Sequence, residues 1–219
     1  MIQVVPFTSI AEQAAATASV VTHLRAGGLI ACPTETVYGF GCALRADALD
    51  SLALLKRRTD DKPFLILVRQ ARDVHGIEWS DEALALADAF WPGPLTLALR
   101  AKPEMFPARV VSDDGTVALR ATSHPGLRRL LEALGAPITS TSANAPGGEP
   151  ARSIGEVMAT LEATADPSAV LVLDGGTLPA SRPSTIVDAT VRPPRVLRAG
   201  AVDLAELAEI VHGIGIAQA

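Results

Sequence analysis

The segment ITSTSANAPGG places four hydroxyl side chains, Thr139, Ser140, Thr141 and Ser142, directly after an apolar residue, and Asn144 follows shortly after them. Such groups at the end of a strand can bind a polar ligand, or they can bond only to the local backbone of a turn. Side chains alternate along a strand, so a binding role predicts that Ser140 and Ser142 face the ligand and that Thr139 and Thr141 do not.

A second polar group follows the apolar segment LIACP. Thr34, Glu35, Thr36 and Tyr38 crowd together immediately after Pro33, which ends the run of strand residues. Ligands of open α/β sheets sit at the carboxyl ends of strands, so these side chains are candidates for a binding site. A polar turn that serves only local structure is an equally open alternative.

Basic residues cluster in the segment KRRTDDKP, which contains Lys56, Arg57 and Arg58. Cations at the end of a helix complement its dipole, which would be a structural role. Alternatively they can clamp phosphate, with lysine as a point charge and arginine as a planar fork.

Arg120 lies inside the apolar segment VALRA. A buried guanidinium is costly without an anionic partner, which could be an internal carboxylate or the carboxylate or phosphate of a substrate. Ser184, Thr185 and Arg198 repeat the pattern of polar side chains beside predicted strands.

Several familiar catalytic signatures are absent. The sequence has no GxxxxGK[ST] phosphate loop, no GxSxG and no HExxH, and YGFG lacks the third glycine of a dinucleotide fingerprint. Cys32 and Cys42 form no CxxC pair and favour buried, reduced thiols over a zinc site. We interpret WPGPLTL, around Trp91, as a rigid turn with an architectural role.

The elements that must position these residues follow from apolar runs and helix caps. Ser9 with Glu12, and Ser80, are predicted to begin helices, and Gly135 to end one. Strands are predicted over IQVVPF, LIACP, PFLILV, LTLALRA, VALRA, PITSTS, AVLVLDGG, STIVDAT and PRVLRAG. Because several strands follow one another near the end, a mixed sheet is favoured over a doubly wound parallel one, in one α/β domain over residues 1–219.

Composition restricts the function classes. The 219 residues are 48% hydrophobic and 20% charged, which is typical of a folded enzyme and unlike a disordered chain. A net charge of −5 argues against a broad nucleic-acid surface. Neither a signal peptide nor a membrane span is expected, so the predicted location is the cytoplasm.

Taken together, PTETVYGFG, WPGPLTL, STSAN and STIVD, in this order, resemble the YrdC-like family of threonylcarbamoyl-AMP synthases, over residues of about 26–201. The resemblance implies a single-domain twisted mixed β-sheet flanked by helices, with a concave, positively lined pocket. Some longer relatives carry a second C-terminal domain, and none is expected here.

The activity that the resemblance implies joins L-threonine, bicarbonate or CO2, and ATP into threonylcarbamoyl-AMP and pyrophosphate. Mg²⁺ is expected with ATP, and no protein ligand is assigned to it. The substrate supplies the nucleophile, so no covalent protein nucleophile is expected. The implied partner is a downstream tRNA-modifying threonylcarbamoyl transferase; direct binding of tRNA stays open, and no membrane partner is expected.

Site residues are also implied by the matching motifs. Those on the threonine side are Thr34, Arg120, Ser140 and Ser184. Those on the ATP side are Lys56, Arg58, Thr116, Ser142, Asn144 and Arg198. The family's Lys-Gly-Arg-Pro stands here as Lys56-Arg57-Arg58-Thr59, so either Arg57 or Arg58 could face the phosphates. Leu67 stands where some members have a histidine that contacts threonine.

Two other functions remain open at this point. One is a non-catalytic YrdC-like module that binds RNA or a nucleotide, which the basic cluster suggests and the acidic balance opposes. The other is carbamoyl-adenylate chemistry, as in related domains of carbamoyltransferases, although those domains sit within much longer chains.

Overall fold

The structure is a computed structural model, which describes residues 2–58, 62–145, 147–164 and 169–217; Thr59 lies outside these ranges. The strands are β1 (Gln3–Pro6), β2 (Leu29–Pro33), β3 (Tyr38–Gly41), β4 (Leu65–Val68), β5 (Ile77–Glu78), β6 (Leu95–Ala101), β7 (Thr116–Ala121), β8 (Ile138–Ser142), β9 (Val170–Asp174), β10 (Thr185–Asp188), β11 (Arg195–Arg198) and β12 (Gly215–Ile216). The α-helices are α1 (Ile10–Arg25), α2 (Ala46–Leu55), α3 (Asp81–Phe90), α4 (Pro125–Leu134), α5 (Ile154–Glu162) and α6 (Leu204–Ile210).

The predicted helix ends are confirmed. Ser9 caps α1 and forms a capping box with Glu12, in which each side chain bonds to the backbone of the other end. Ser80 caps α3 by accepting a bond from the Ala83 amide. Gly135 ends α4 with a positive φ of 70°, a left-handed conformation that glycine adopts without strain.

The strands form one mixed sheet in the order β1-β9-β2-β3-β8-β4-β7-β6-β10-β11-β12, with β5 paired to β6. Strand β8 lies between β3 and β4 and is antiparallel to both. Parallel pairs join β2 to β9, β4 to β7 and β6 to β10. The prediction of a twisted mixed sheet flanked by helices is confirmed.

Helices cover both faces of the sheet, and alternating side chains of the strands divide between two apolar clusters. On β2, Ala31 belongs to the cluster that also contains Leu52 of α2, while Ile30 belongs to the cluster formed with α1 and α4. Leu67 is fully buried in the second cluster. In the part of the chain described, no helix is long and apolar enough to cross a membrane.

Strand β3 was not predicted, because its sequence YGFG reads as a glycine-rich loop. Its glycines are required by the close approach of β8. A Cβ on Gly41 would lie 2.3 Å from the carbonyl oxygen of Thr139, and one on Gly39 would lie 2.7 Å from Ser140 Oγ. The glycines therefore bring β8, with its hydroxyl side chains, directly against the β2–β3 hairpin.

Candidate active site

A cavity of about 330 Å³ gathers most of the predicted site residues. It lies beside the carboxyl ends of β2, β7, β8 and β11. Of the ten residues predicted to bind substrates, seven line it: Thr34, Arg58, Arg120, Ser140, Ser142, Ser184 and Arg198. Larger clefts of about 520 and 550 Å³ elsewhere border only Arg58 from that set.

Arginine is the only charged residue type among the described residues that line the cavity. Arg58, Arg120 and Arg198 lie there, and no aspartate or glutamate does. Burial lowers the pKa of Arg198, and the positive charge of Arg120 lowers it further. Like charges repel each other more strongly in a partly desolvated cavity. The cavity therefore favours the binding of anions, such as a carboxylate or phosphates.

Arg120 is 4% exposed and has an internal carboxylate beside it. Its Nε lies 3.5 Å from Glu35 Oε1, and neither atom has a hydrogen-bond partner. Glu35 is held from its other oxygen, because Thr122 Oγ1 donates to Oε2 at 2.6 Å. Burial lowers the pKa of Arg120, while the charge of Glu35 opposes this change. Arg120 therefore has an internal carboxylate beside it and also lines the cavity.

Arg198 and Ser184 line the cavity and are bonded to each other. The Arg198 guanidinium donates to the Ser184 carbonyl oxygen at 2.7 and 3.2 Å and to Ser184 Oγ at 3.1 Å. Ser184 Oγ lies 2.9 Å from Thr96 Oγ1. Thr185, a further candidate, donates its hydroxyl to Val202 O in the interior and does not line the cavity.

Thr96 also lines the cavity and was missed from the sequence. It belongs to WPGPLTL, which we interpreted as architecture. Its neighbours Leu95 and Leu97 are fully buried in the apolar cluster that also contains Leu52. Because side chains alternate along β6, Thr96 points to the other face of the sheet, where the cavity lies. A single hydroxyl between two leucines in a predicted strand was the signal that could have identified it.

The turn between β2 and β3 is shaped by Thr34. Its hydroxyl donates to Val37 O at 2.7 Å and accepts from the backbone amides of Thr36 and Val37. Ser181, in the segment that precedes β10, donates to Thr36 O and so attaches the turn to that segment. The predicted contact of Thr34 with threonine stays a prediction, and its hydroxyl has an evident structural role.

The four hydroxyl residues of β8 differ in their positions relative to the cavity. Thr139 is fully buried on the far side, where its Oγ1 accepts from the Cys42 amide at 3.0 Å, while Ser140 and Ser142 line the cavity. Thr141 also borders the cavity, so the lining does not separate it from Ser140 and Ser142 as simple alternation would. The reason is that β8 ends at the cavity, where its last residues are only half-buried.

The two arginine side chains that follow α2 point in different directions. Arg58 lines the cavity and packs over the Phe64 ring at 4.7 Å, while Arg57 donates to Ala163 O at 2.8 Å. Arg57 has a positive φ of 47°, in the position where the resemblance places a glycine. Of the two arginines, the structure therefore turns Arg58 toward the cavity.

Three predicted ATP-side residues do not line the cavity. Lys56 and Asn144 bond to each other behind Ser142, with Lys56 Nζ 2.9 Å from Asn144 Oδ1. Burial, and secondly the charge of Arg58, lowers the pKa of Lys56 to about 8. Thr116 donates its hydroxyl to Asp114 at 2.7 Å, in the turn that begins β7.

Other sequence-based expectations can be stated briefly. Leu67 does not line the cavity, although Leu65 on the same strand does. Cys32 and Cys42 are free and buried, as predicted, and burial raises the pKa of their thiols to about 12 and about 11. In the described ranges, no group of three or more His, Cys, Asp or Glu residues could hold a metal ion.

Comparison with known proteins places the chain among a defined set of relatives. The Sua5/YciO/YrdC family model, described as "Telomere recombination", matches residues 22–200. A protein of Pyrococcus abyssi named threonylcarbamoyl-AMP synthase is 35% identical over 88% of this chain, which spans 56% of the relative's length. A protein of the same name from Alkalilimnicola ehrlichii is 40% identical over 76% of this chain and 87% of its own.

Solved structures agree with this assignment. Pyrococcus abyssi Sua5 complexed with L-threonine matches with a TM-score of 0.88 and 31% identity, over 98% of this chain and 62% of that one. Escherichia coli YciO matches with a TM-score of 0.82 and 28% identity, over 94% of this chain and 100% of its own. The shared sheet, the motif order and these matches establish that the chain belongs to the Sua5/YciO/YrdC family.

Proposed function

We propose that the protein is an L-threonylcarbamoyladenylate synthase, which converts L-threonine, bicarbonate or CO2, and ATP into threonylcarbamoyl-AMP and pyrophosphate. The observation that carries this proposal is the cavity lined by three arginines and several hydroxyls, without a carboxylate among its described lining residues. Such a lining suits two anionic substrates held side by side. The names of the relatives and the threonine-bound Sua5 structure support threonine as one of them.

The proposed chemistry requires positioning rather than a protein nucleophile. The threonine amine attacks CO2 and loses a proton, which gives a carbamate. A carbamate oxygen then attacks the α-phosphorus of ATP, the bond to the bridging oxygen breaks, and pyrophosphate leaves. Arg120 would pair with the threonine carboxylate, while Arg58 and Arg198 would stabilise the phosphate charge that shifts during the transfer.

Mg²⁺ fits this proposal as a companion of ATP. Glu35, the carboxylate beside Arg120, is engaged by Thr122, and the described residues offer no cluster of metal ligands. Mg²⁺ commonly binds through substrate phosphates and waters, with few protein ligands. When bound, it would neutralise phosphate charge.

A product of this kind is a reactive mixed anhydride, so the proposed partner is a tRNA-modifying threonylcarbamoyl transferase that consumes it. An alternative is a module that binds RNA or nucleotide without catalysis. It would show affinity for RNA that falls steeply with salt, together with no pyrophosphate release.

The direct test is a pyrophosphate-release assay with each substrate omitted in turn. We expect release only when threonine, bicarbonate and ATP are all present, with serine and glycine as comparison amino acids. Release that continues at the same rate without threonine would contradict the proposed reaction.

The role of Arg120 is tested separately by Arg120→Ala. Because a charge-assisted, bidentate contact is lost, the KM for threonine should rise about a hundredfold, while the KM for ATP changes little. Arg129→Ala, which removes an exposed arginine of α4, is the matched control. An unchanged KM for threonine would refute the carboxylate contact and leave the reaction class standing.

A further inference from the structure

A second cavity, of about 520 Å³, lies across strand β7 from the substrate cavity. Arg120 lines the substrate cavity, whereas its neighbour Ala121 lines the second one. Side chains that are adjacent on a strand point to opposite faces of the sheet. Among the described residues the two cavities share no lining residue, so a ligand in the second cavity would leave the substrate cavity open.

Both tryptophans of the chain border this second cavity. Trp79 and Trp91 are half-buried, and their rings meet edge to face, with centroids 6.1 Å apart and an interplanar angle of 87°. Trp91 is held in place because its Nε1 donates to Leu95 O at 2.7 Å. Leu84 of α3, which is 39% exposed, extends the apolar surface beside them. A flat aromatic ligand can stack on a fixed surface of this kind.

Three arginines border the same cavity from separate parts of the chain. Arg69 follows β4, Arg72 belongs to the short 3₁₀ helix Ala71–Asp73, and Arg128 belongs to α4. Among the described lining residues, Asp88 is the one carboxylate, so positive charges exceed negative charges by two. This local excess contrasts with the net charge of −5 of the whole chain.

The three arginines differ in how far they are already paired. Arg69 is engaged, because its Nε lies 2.9 Å from Asp73 Oδ2. Arg72 and Arg128 form no ion pair with a carboxylate of the described ranges. Arg128 donates one N–H to Arg69 O at 3.4 Å, and a guanidinium has five such donors. Two guanidinium groups with donors to spare suit a doubly charged phosphate better than a single carboxylate.

We propose that this cavity is a second ligand site, which binds a nucleoside monophosphate with its base against the tryptophans and its phosphate on Arg72 and Arg128. Its volume of about 520 Å³ is within the range of cavities that hold small ligands, roughly 300–1,000 Å³. A nucleotide matches both halves of the lining, because it joins a flat aromatic ring to a phosphate. The site goes beyond the proposed synthase reaction and does not rest on it.

Tryptophan fluorescence tests this site directly, because no tryptophan lines the described part of the substrate cavity. The probe is AMP, with adenosine as the ring without the charge and inorganic phosphate as the charge without the ring. We expect AMP to change the fluorescence in a saturable way, and adenosine and phosphate each to bind at least about tenfold more weakly. No saturable change with AMP, or equal affinity for AMP and inorganic phosphate, would overturn the proposal.

Two neighbouring arginines of α4 provide a matched pair of variants. Arg128→Ala removes a residue of the cavity, while Arg129→Ala removes an exposed arginine that does not line it. Arg128→Ala should raise the Kd for AMP about tenfold or more through the loss of charge-assisted bonds, and Arg129→Ala should leave it within about twofold. Equal weakening by both would indicate diffuse attraction to a positive surface and refute the site. If Arg128→Ala does not fold, Arg72→Ala, which changes an exposed side chain, carries the same expectation.

Arg198→Ala distinguishes this site from the substrate cavity, which Arg198 lines. The fluorescence change with AMP should persist in this variant with the same Kd, and its loss would place AMP in the substrate cavity and overturn the proposal. A short single-stranded RNA that changes the fluorescence where AMP does not would indicate a nucleic-acid surface and also overturn it. Because the readout is equilibrium binding, failure of the synthase function would appear in the pyrophosphate assay and not here.

Discussion

At the scale of single residues, the cavity depends on a buried pair of charges, Arg120 and Glu35. Arg120 is taken out of water, and its nearest carboxylate stands beside Nε at 3.5 Å, a separation longer than a hydrogen bond. Glu35 is fixed in turn by Thr122. The carboxylate therefore offsets the charge of Arg120 and orients the guanidinium, yet does not bind it tightly enough to exclude a second anion.

Glu35 is consequently predicted to matter for threonine, although it does not line the cavity. Glu35→Gln keeps the shape and can still accept from Thr122, but it removes the charge that offsets Arg120. We expect the KM for threonine to rise about tenfold, with a smaller effect on the KM for ATP, measured by pyrophosphate release.

Glu78→Gln, which changes an exposed carboxylate of β5, is the control for the loss of one negative charge. If Glu35→Gln and Glu78→Gln gave the same KM for threonine, Glu35 would have no part in orienting Arg120. The comparison thus separates a local contact from the net charge of the chain.

At this scale the sequence predicted much of the site and missed parts of it for identifiable reasons. Arg120 was recognisable because an arginine within an apolar strand must have an anionic partner. The identity of that internal partner was not, since the position of Glu35 depends on the tertiary path of the β2–β3 turn. Likewise, nothing local to Lys56 indicates that its three donors meet a turn many residues away.

At the scale of elements, the cavity depends on how closely strands approach. The helices α1, α3 and α4 and most strands were predictable because their caps and apolar runs are local signals. Strand β3 was not, because its two glycines suggest a loop until β8 is known to lie against them.

This close approach yields a stability prediction. In Gly41→Ala the new Cβ would lie 2.3 Å from Thr139 O, which is backbone and cannot turn aside. We expect the free energy of unfolding to fall by about 1–3 kcal/mol or more, measured by denaturant titration.

The control is Gly215→Ala on β12, where a Cβ meets nothing within 4 Å. Its free energy of unfolding should stay within about 0.5 kcal/mol of the unaltered protein. Equal effects of the two substitutions would mean that glycine flexibility, rather than the contact between β3 and β8, determines the cost.

At the scale of the molecule, the site combines strands that are distant in sequence. The order β3-β8-β4-β7-β6-β10 brings residues from both ends of the chain around one cavity. Strand order of this kind depends on non-local pairing, which periodicity does not reveal, so the residues of the site could be predicted singly while their arrangement could not.

Ligand binding should therefore stabilise the whole fold, and threonine and ATP should each do so independently. A ligand that binds only the folded protein adds RT ln(1 + [L]/Kd) to the free energy of unfolding. This is about 2.7 kcal/mol at a ligand concentration of a hundred times Kd, or roughly 5–10 °C in Tm for a chain of this size.

We expect threonine alone and ATP with Mg²⁺ alone each to raise Tm. Arg120→Ala should lose the shift with threonine and keep the shift with ATP, and Arg198→Ala should show the reverse, with Arg129→Ala retaining both. If each cavity variant lost both shifts, the two arginines would serve one common subsite, and the assignment of Arg120 to threonine and of Arg198 to ATP would be wrong.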